Sequence, residues 1–507
     1  CFCATCAAAF RAWLQARYST LEELNRRWQT NYWGQRVSDW AEIELPAHRA
    51  EPSVSLDFCR FYHDSVVSFF LAQKQALRAA GVREPIATNC MGPLYEALDY
   101  WQLAPHLDRT FYDMYFVGCN APCSALGLDL FRCLRGDFFW LSETGTQGLR
   151  GRKPTETQLR LWYYAALARG ARAHMFFRWR TCLSGWEQNH PAFLNHAGRP
   201  NRGLAEARAL FAEVARLEAE LAQVPLPRAE AALLLDWQAV LAQATPGEFR
   251  TRGIMQLQAQ FLGWYADLLR RGVNTDVVGP GADLARYQLV VVPGSANLIR
   301  NADLAARLRR FVEGGGVLVA TATVFSKDEH NNYYTAERPD GLTAVLGIAV
   351  GETRATPLGG EDLWDRAVLH AHVAAGGRRH RAGAWLEELL PRTARALARY
   401  ADGPFGGQPA VTLNALGKGW AYYVGTAPDA GLVGWTLTQA CRRAGVSGWP
   451  GLPQGVEYVN CAPYHFWLNT TPLRRRVPRL PAGRLLLGKR AAGNLLLPSY
   501  GVGLLKA

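Results

Sequence analysis

Short apolar runs alternate with amphipathic stretches in the first part of the chain, up to residue 222. Helical spacing of apolar residues predicts helices over 56–80, 92–103, 155–169 and 203–222. The apolar runs near these helices predict four strands: EPIATN, RTFYDMYF, FFWLSE and HMFFRW. Strands that alternate with helices in this way indicate a parallel sheet with helical crossovers. Because a closed barrel of this kind has eight strands, we expect an α/β fold that begins with the second half of such a barrel.

Two further helices are expected near the start of the chain. The segment AAAFRAWLQARY has apolar residues at helical spacing, and Ser19 with Glu22 forms a capping box that starts a second helix. An irregular aromatic segment follows. Trp33 within it suits a core position and a sugar-stacking position equally well, whereas Trp40 is expected in the core.

The pattern changes after Pro225. The runs AALLLD, NTDVV, QLVVVP and GVLVA, separated by predicted helices over 252–271 and 302–313, indicate a separate three-layer α/β domain. Ser295 lies in no nucleophile elbow, so we interpret this domain as structural. Residues 360–400 are expected to be partly helical, PAVTLNALGKGWAYYVGTAP to be a hairpin, and the chain from about Ser447 to be a small β-domain. The predicted domains are 1–224, 225–445 and 446–507.

Composition excludes few functions. Hydrophobic residues make up 49% and charged residues 20% of the 507 residues, and the net charge is +13. The arginines are scattered, which favours a solvated basic surface over nucleic-acid binding. No window of about 18 apolar residues predicts a membrane span. Eleven cysteines without a framework pattern fit a reducing, cytoplasmic setting. No signal peptide is recognisable, although a chain that opens at Cys1 without Met would hide an upstream one.

The first six residues, CFCATC, bring three thiols together. Cys1, Cys3 and Cys6 favour one structural zinc ion, which needs a fourth ligand from elsewhere. The alternatives are free thiols or a chance cluster.

Polar and aromatic side chains mark the ends of the four predicted strands. Asn89, Tyr115, Glu143 and Trp179 fall near these ends in turn. Functional groups from successive strand ends form the active sites of parallel barrels. We therefore expect these side chains to form one wall of a sugar-cleaving site.

Retaining glycoside hydrolysis requires two carboxyl groups about 5–5.5 Å apart, one nucleophile and one acid/base. Glu143 is the predicted nucleophile, which Arg180 and the Tyr115 hydroxyl would keep ionised and oriented. Glu187 and His190, in the following loop, would bind sugar hydroxyls. No second catalytic carboxylate stands out, since nothing marks Asp113 as an acid.

These motifs together resemble glycoside hydrolase family 42 β-galactosidases, entered partway along. The similarity covers nearly all 507 residues in order. The matching segments are CFCATC, FRAWLQARYSTLEELNRRWQTNYW, TNCM, FYDMY, LSET, FFRWR, GWEQNHPAFLNHAG, LVVVP, the GGG turn at 314–316 and GWAYYVGT.

The resemblance implies a TIM barrel, an amidotransferase-like (flavodoxin-like) middle domain that mediates trimerisation, and a small C-terminal β-domain. It implies retaining hydrolysis of terminal β-D-galactosides with Glu143 as nucleophile. Trp33, Tyr115, Glu187 and His190 would line the galactose subsite. Cys1, Cys3 and Cys6 would be three of four zinc ligands, and the enzyme would be a homotrimer.

Two departures from the family pattern shape the expectation. In the family, the acid/base glutamate lies before the cysteine cluster, and this chain begins at that cluster. The family's nucleophile is followed by a Pro-Gly step and a Trp, whereas GTQGLRGRKP follows Glu143 in this chain. We therefore expect a fragment that is nearly inactive alone. The alternatives are a related retaining enzyme acting on β-glucosides, β-fucosides or α-L-arabinosides, and a non-catalytic carbohydrate-binding remnant.

Overall fold

The computed structural model describes residues 1–46, 51–94, 98–116, 121–146, 158–243, 250–355 and 371–507. The segment GTQGLRGRKP that departs from the family pattern therefore lies largely outside the described residues. None of the helices in the described ranges is long and apolar enough to cross a lipid bilayer.

Three helices open the chain: α1 (Ala4–Tyr18), α2 (Leu21–Trp28) and α3 (Pro52–Ala79). The N-cap of α2 is Thr20, whose hydroxyl accepts the Glu23 amide at 3.2 Å. The capping box predicted at Ser19 and Glu22 was thus one residue too early. Apolar side chains of α1 and α2, with Phe10 and Leu24 fully buried, pack into a small core of their own.

A four-stranded parallel sheet follows, with strand order β1-β2-β3-β4. Its strands are β1 (Asn89–Cys90), β2 (Phe111–Met114), β3 (Phe139–Gly145) and β4 (Ala171–Phe177). Its helices are α4 (Tyr100–Leu103), α5 (Ala121–Cys133), α6 (Gln158–Ala168) and α7 (Arg202–Leu221). Three of the four predicted strands are confirmed, and the predicted strand EPIATN, residues 84–89, overlaps β1 only at Asn89. Of the helix predicted over 92–103, the last four residues are confirmed as α4, which begins only at Tyr100 because the Asp99 side chain caps the amides of Trp101 and Gln102.

The middle of the chain forms an eleven-stranded mixed sheet. Its parallel part has the order β6-β5-β7-β8-β14, and antiparallel strands extend it from β14 onward. The strands are β5 (Ala231–Leu234), β6 (Thr275–Val278), β7 (Leu289–Val292), β8 (Val317–Thr321), β9 (Ile348–Ala355), β10 (Ala371–Ala375), β11 (Arg378–Pro391), β12 (Arg395–Tyr400), β13 (Pro409–Leu416), β14 (Gly419–Val424) and β15 (Thr426–Pro428). The helices are α8 (Trp237–Gln243), α9 (Arg250–Arg270), α10 (Ala302–Glu313), α11 (Thr343–Leu346) and α12 (Ala430–Ala444).

The partly helical structure expected over 360–400 is wrong in its described part. Residues 371–400 form three antiparallel strands, because burial alternates along β10 and Gly376 and Gly377, both at positive φ, make its turn into β11. The hairpin predicted from PAVTLNALGKGWAYYVGTAP is confirmed as β13 and β14.

The last part of the chain is all β, as predicted. Two sheets have the orders β16-β17-β22-β19 and β18-β21-β20. The strands are β16 (Val456–Cys461), β17 (Tyr464–Asn469), β18 (Arg475–Val477), β19 (Arg484–Leu487), β20 (Lys489–Ala491), β21 (Asn494–Leu497) and β22 (Val502–Lys506). The domain boundaries after 224 and 445 stay predictions.

A buried ionic network joins the three sheet-containing parts. Arg169, directly after α6, donates to Glu457 of β16 at 2.7 Å and lies 3.4 Å from Asp129 of α5. Arg132 of α5 donates to Asp129 at 2.9 Å and to Asp276 of β6 at 2.7 Å. All five side chains are buried. Separation of the three parts would leave these buried charges without their partners, which is costly, so the network stabilises the contacts between the parts.

Candidate active site

The predicted site residues of the first sheet lie at one edge. Asn89 opens the short strand β1, Tyr115 follows β2 directly, and Glu143 lies near the end of β3. Trp179 comes two residues after β4. Because the strands are parallel neighbours, their carboxyl ends share this edge, where barrel enzymes place catalytic groups.

Tyr115 and Glu143 form the closest contact at this edge. The Tyr115 hydroxyl donates to Glu143 Oε2 at 2.5 Å, and both side chains are half-buried. Burial, followed by the bonded carboxylate of Glu143, raises the pKa of Tyr115 far above its ordinary value. The phenol therefore remains a donor, and it fixes the orientation of the carboxylate.

Asp113 is a further residue of this site, and no role was predicted for it. Its Oδ2 accepts from Asn89 Nδ2 at 2.9 Å, and its Oδ1 accepts from Ser142 Oγ at 2.7 Å. Burial and the charge of Glu143 raise the pKa of Asp113, against the lowering effect of these two hydrogen bonds. Asp113 thereby connects the ends of β1, β2 and β3. Asn89, predicted to bind substrate, here positions Asp113.

His190 closes the site from the loop after β4. Its ring meets Tyr115 edge-on at 5.5 Å and Phe177 at 5.2 Å between centroids. The His190 amide donates to the Glu187 carbonyl at 2.8 Å, which fixes these two residues relative to each other. The Nδ1 atom of His190 is buried without a hydrogen-bond partner in the described structure. The Glu187 carboxylate is exposed and is therefore accessible to a ligand.

The predicted partnership of Arg180 with Glu143 is wrong among the described residues. Arg180 donates instead to the His196 carbonyl at 2.8 Å, because the chain after β4 folds back and Arg180 bridges to Leu194. The arginine near the predicted subsite is Arg178, whose Nη1 lies 3.9 Å from Glu187. Its signal, the first arginine of FFRWR, was present in the sequence.

Three tryptophan side chains of the loops are strongly exposed. Trp33 is 81% exposed and stacks on Tyr32 with centroids 4.8 Å apart, so its core alternative is wrong. Trp179 is 62% exposed, and Trp186, directly before Glu187, is fully exposed. Trp40 packs at the edge of the N-terminal core, as expected. Exposed indole faces are suited to stacking on sugar rings.

Cys1, Cys3 and Cys6 have the geometry of a partial zinc site. Their sulfur atoms all lie within 4.8 Å of one another, and those of Cys1 and Cys3 are 3.4 Å apart. Sulfur ligands about 2.3 Å from a tetrahedral zinc ion are about 3.8 Å apart, so the three thiols fit three of its positions.

Comparison with known proteins decides the family. A family profile described as β-galactosidase matches residues 1–217, and one described as β-galactosidase trimerisation domain matches residues 229–447. β-Galactosidase BgaB of Geobacillus sp. is 34% identical over 480 residues, which cover 90% of this chain and 67% of that protein. The chain belongs to the glycoside hydrolase family 42 β-galactosidases.

Solved structures of this family agree in fold. The β-galactosidase of Bacillus circulans sp. alkalophilus aligns with a TM-score of 0.89 at 27% identity, covering 100% of this chain and 77% of that one. The β-galactosidase of the haloarchaeon Halorubrum lacusprofundi aligns with a TM-score of 0.87 at 29% identity, covering 100% and 76%. The first sheet and its helices are thus part of the TIM-barrel glycosidase fold, as predicted.

Proposed function

We propose that this chain carries the nucleophile side of a retaining β-galactosidase, with Glu143 as the nucleophile. The observation that carries the proposal is the hydrogen bond from Tyr115 to Glu143 at the carboxyl edge of a parallel sheet. A carboxylate so oriented attacks the anomeric carbon and forms a covalent glycosyl ester as the aglycone leaves. Water then releases the sugar and restores the carboxylate.

The proposal assigns the acid/base to no residue of this chain. Asp113 is the neighbouring carboxyl group, but both its oxygens are occupied by Asn89 and Ser142. It acts as a positioning group. Without a general acid to protonate the leaving oxygen, strongly basic aglycones leave slowly. The chain alone is therefore expected to be nearly inactive on natural galactosides.

Substrate contacts are assigned to the loops around Glu143. Glu187 and His190 bind sugar hydroxyls, with Arg178 near the Glu187 carboxylate. Trp33 and Trp179 offer exposed rings for stacking on the sugar or its aglycone. Similarity to proteins named β-galactosidase supports galactose as the sugar.

Zinc, assembly and location belong to the same proposal. Cys1, Cys3 and Cys6 hold one structural zinc ion together with a ligand from elsewhere. A homotrimer is supported by the trimerisation-domain profile over residues 229–447. Thiol ligands suit a reducing cytoplasmic setting.

A panel of nitrophenyl glycosides tests this function. The gene is expressed from about 150 codons upstream of Cys1, the length of half a barrel, with and without Glu143→Gln. The proposal expects β-galactoside to be hydrolysed fastest, with a loss of several orders of magnitude in Glu143→Gln. Preference for β-glucoside, β-fucoside or α-L-arabinoside would favour the related retaining enzymes. Activity unaffected by Glu143→Gln would remove the nucleophile assignment and leave a non-catalytic role for this edge.

A further inference from the structure

A cleft of about 640 Å³ lies between the barrel segment and the middle sheet. One wall comes from Trp101 of α4 and the end of α5, and the other from β6 and the residues 279–287 after it. Helix α5 follows β2 and runs back along the sheet, so its last turn lies at the end opposite to Tyr115. The cleft is therefore separate from the edge that carries Glu143.

The cleft has a fixed cationic floor. Arg132 is only 5% exposed, and its two terminal nitrogens donate to Asp276 and Asp129. Its third nitrogen, Nε, is buried and has no hydrogen-bond partner in the described structure. An unpaired buried donor of a charged group is costly.

Two further arginines line the mouth. Arg286 is 60% exposed, stacks over Tyr287 at 4.8 Å and donates to Asp276. Arg228 is exposed, and its main chain is held by a hydrogen bond of 3.1 Å from Asn274 to its carbonyl. Asp276 already accepts from Arg132, Arg286 and Tyr287. Arg132 is compensated by Asp129 and Asp276, and Arg286 also pairs with Asp276, so Arg228 is the one of these three guanidinium groups without a described ion pair.

The walls are apolar and rigid. Trp101, Leu134, Leu226 and Pro280 line them. The Trp101 indole donates to the Leu235 carbonyl at 3.0 Å, and its ring lies so close to Gly279 that a Cβ there would be 2.8 Å away. Such a site is preformed, with cations at its floor and mouth and apolar surface between them.

We propose that this cleft binds a small phosphate monoester. The phosphate lies between Arg228 and Arg286, above Arg132, and the organic body lies against Trp101 and Leu134. Guanidinium groups suit this anion because their donors match phosphate oxygens in pairs. Since the cleft is formed by both the barrel segment and the middle sheet, an occupant stabilises their contact.

Calorimetric titration with inorganic phosphate and with phenyl phosphate, at constant ionic strength, tests the proposal. Saturable binding of one phenyl phosphate per chain is expected, tighter than that of inorganic phosphate because of the apolar walls. Arg228→Gln and Arg286→Gln should each weaken binding about tenfold or more, the loss of about 1.4 kcal/mol. Arg228→Gln is the cleaner variant, because no described ion pair is lost with it.

Arg309→Gln is the matched control, because Arg309 is an exposed arginine, 56% accessible, which pairs with Glu313 of α10 and does not line the cleft. It should bind as the parent does. Equal weakening by Arg309→Gln would indicate a general effect of net charge and overturn the site. Absence of saturable binding, or binding unchanged in both cleft variants, would overturn it as well.

Discussion

The Tyr115 hydroxyl donates to Oε2 of Glu143 at 2.5 Å, across the carboxyl ends of two neighbouring parallel strands. The same phenol ring contacts His190, whose amide is bonded to the carbonyl of Glu187. One side chain thus links the predicted nucleophile to the residues assigned to sugar binding. Rotation of Glu143 away from this phenol would cost a hydrogen bond to a charged acceptor.

Tyr115→Phe should slow glycosylation of Glu143 about 10- to 100-fold. A hydrogen bond to a charged group contributes about 1.5–3 kcal/mol, and the phenylalanine ring keeps the contact with His190. The measurement is the rate of covalent labelling by 2,4-dinitrophenyl 2-deoxy-2-fluoro-β-D-galactoside, whose weakly basic aglycone leaves without a general acid. Tyr334→Phe is the control, since this tyrosine bonds the Phe325 carbonyl in the middle part. An unchanged labelling rate in Tyr115→Phe would contradict the orienting role.

Glu457→Gln should destabilise the whole chain by about 3–5 kcal/mol, because it leaves Arg169 buried with part of its compensating charge removed. Arg169 is 1% and Glu457 6% exposed. The change is measured by urea unfolding. The control is Glu220→Gln at the more accessible cluster with Arg484 and Lys506, which should lower the free energy of unfolding much less. Equal costs for the two variants would contradict the joining role of the buried network.

Asp236→Asn should remove a pH dependence of stability. Burial, the largest cause, raises the pKa of Asp236 from its ordinary value of 3.8 to about 7. Between these values the unfolded carboxyl ionises while the folded one stays protonated, so the wild-type stability falls as pH rises from about 4 to 7. The stabilisation present below pH 4 is lost above pH 7, and its full extent is on the order of 4 kcal/mol.

The asparagine variant retains a side-chain oxygen that accepts the hydrogen bond from the Gln238 backbone amide, which measures 2.9 Å in the wild type. Urea unfolding gives the free energy of unfolding of both proteins at pH 5 and pH 7.5. The contributions of the other titrating groups cancel in the difference between the two proteins. The free energy of unfolding of Asp236→Asn should increase relative to that of the wild type as pH rises. A difference that stays constant with pH would show that Asp236 does not titrate in this range.

Cys3→Ser should lower the zinc content of the purified protein. Thiolate is a strong zinc ligand, and the three sulfurs are already within 4.8 Å of one another. Metal content is measured by mass spectrometry after dialysis without chelator. Cys59→Ser, a half-buried cysteine of α3 outside the cluster, is the control and should leave zinc unchanged. Equal zinc content in the wild type, Cys3→Ser and Cys59→Ser would show that the cluster does not bind zinc.

Much of the fold was predictable because apolar periodicity decides it locally. The helix predicted over 203–222 is α7 (Arg202–Leu221). The run FFWLSE begins one residue before β3 and otherwise lies within it. Residues 371–400 were misjudged because their polar residues hide the alternation that β10 shows only once paired. The helix predicted over 92–103 was started too early, because Asp99 caps α4 at Tyr100 and the apolar pattern does not reveal this cap.

The site was predictable as far as strand ends reveal it. Tyr115 and Glu143 were placed together because adjacent parallel strands end at one edge. The exchange of Arg180 for Arg178 was not predictable, because it depends on how residues 181–196 fold back to the His196 carbonyl. The role of Asp113 depends on donors from two other strands, which only the folded sheet brings together.

The most direct test of the central claim is to identify the residue that forms the glycosyl ester. The chain is incubated with 2,4-dinitrophenyl 2-deoxy-2-fluoro-β-D-galactoside, digested and sequenced by mass spectrometry. The account predicts one fluorogalactosyl group on Glu143, and none on the protein with Glu143→Gln. A label on Asp113 or Glu187, or labelling that persists in Glu143→Gln, would contradict it.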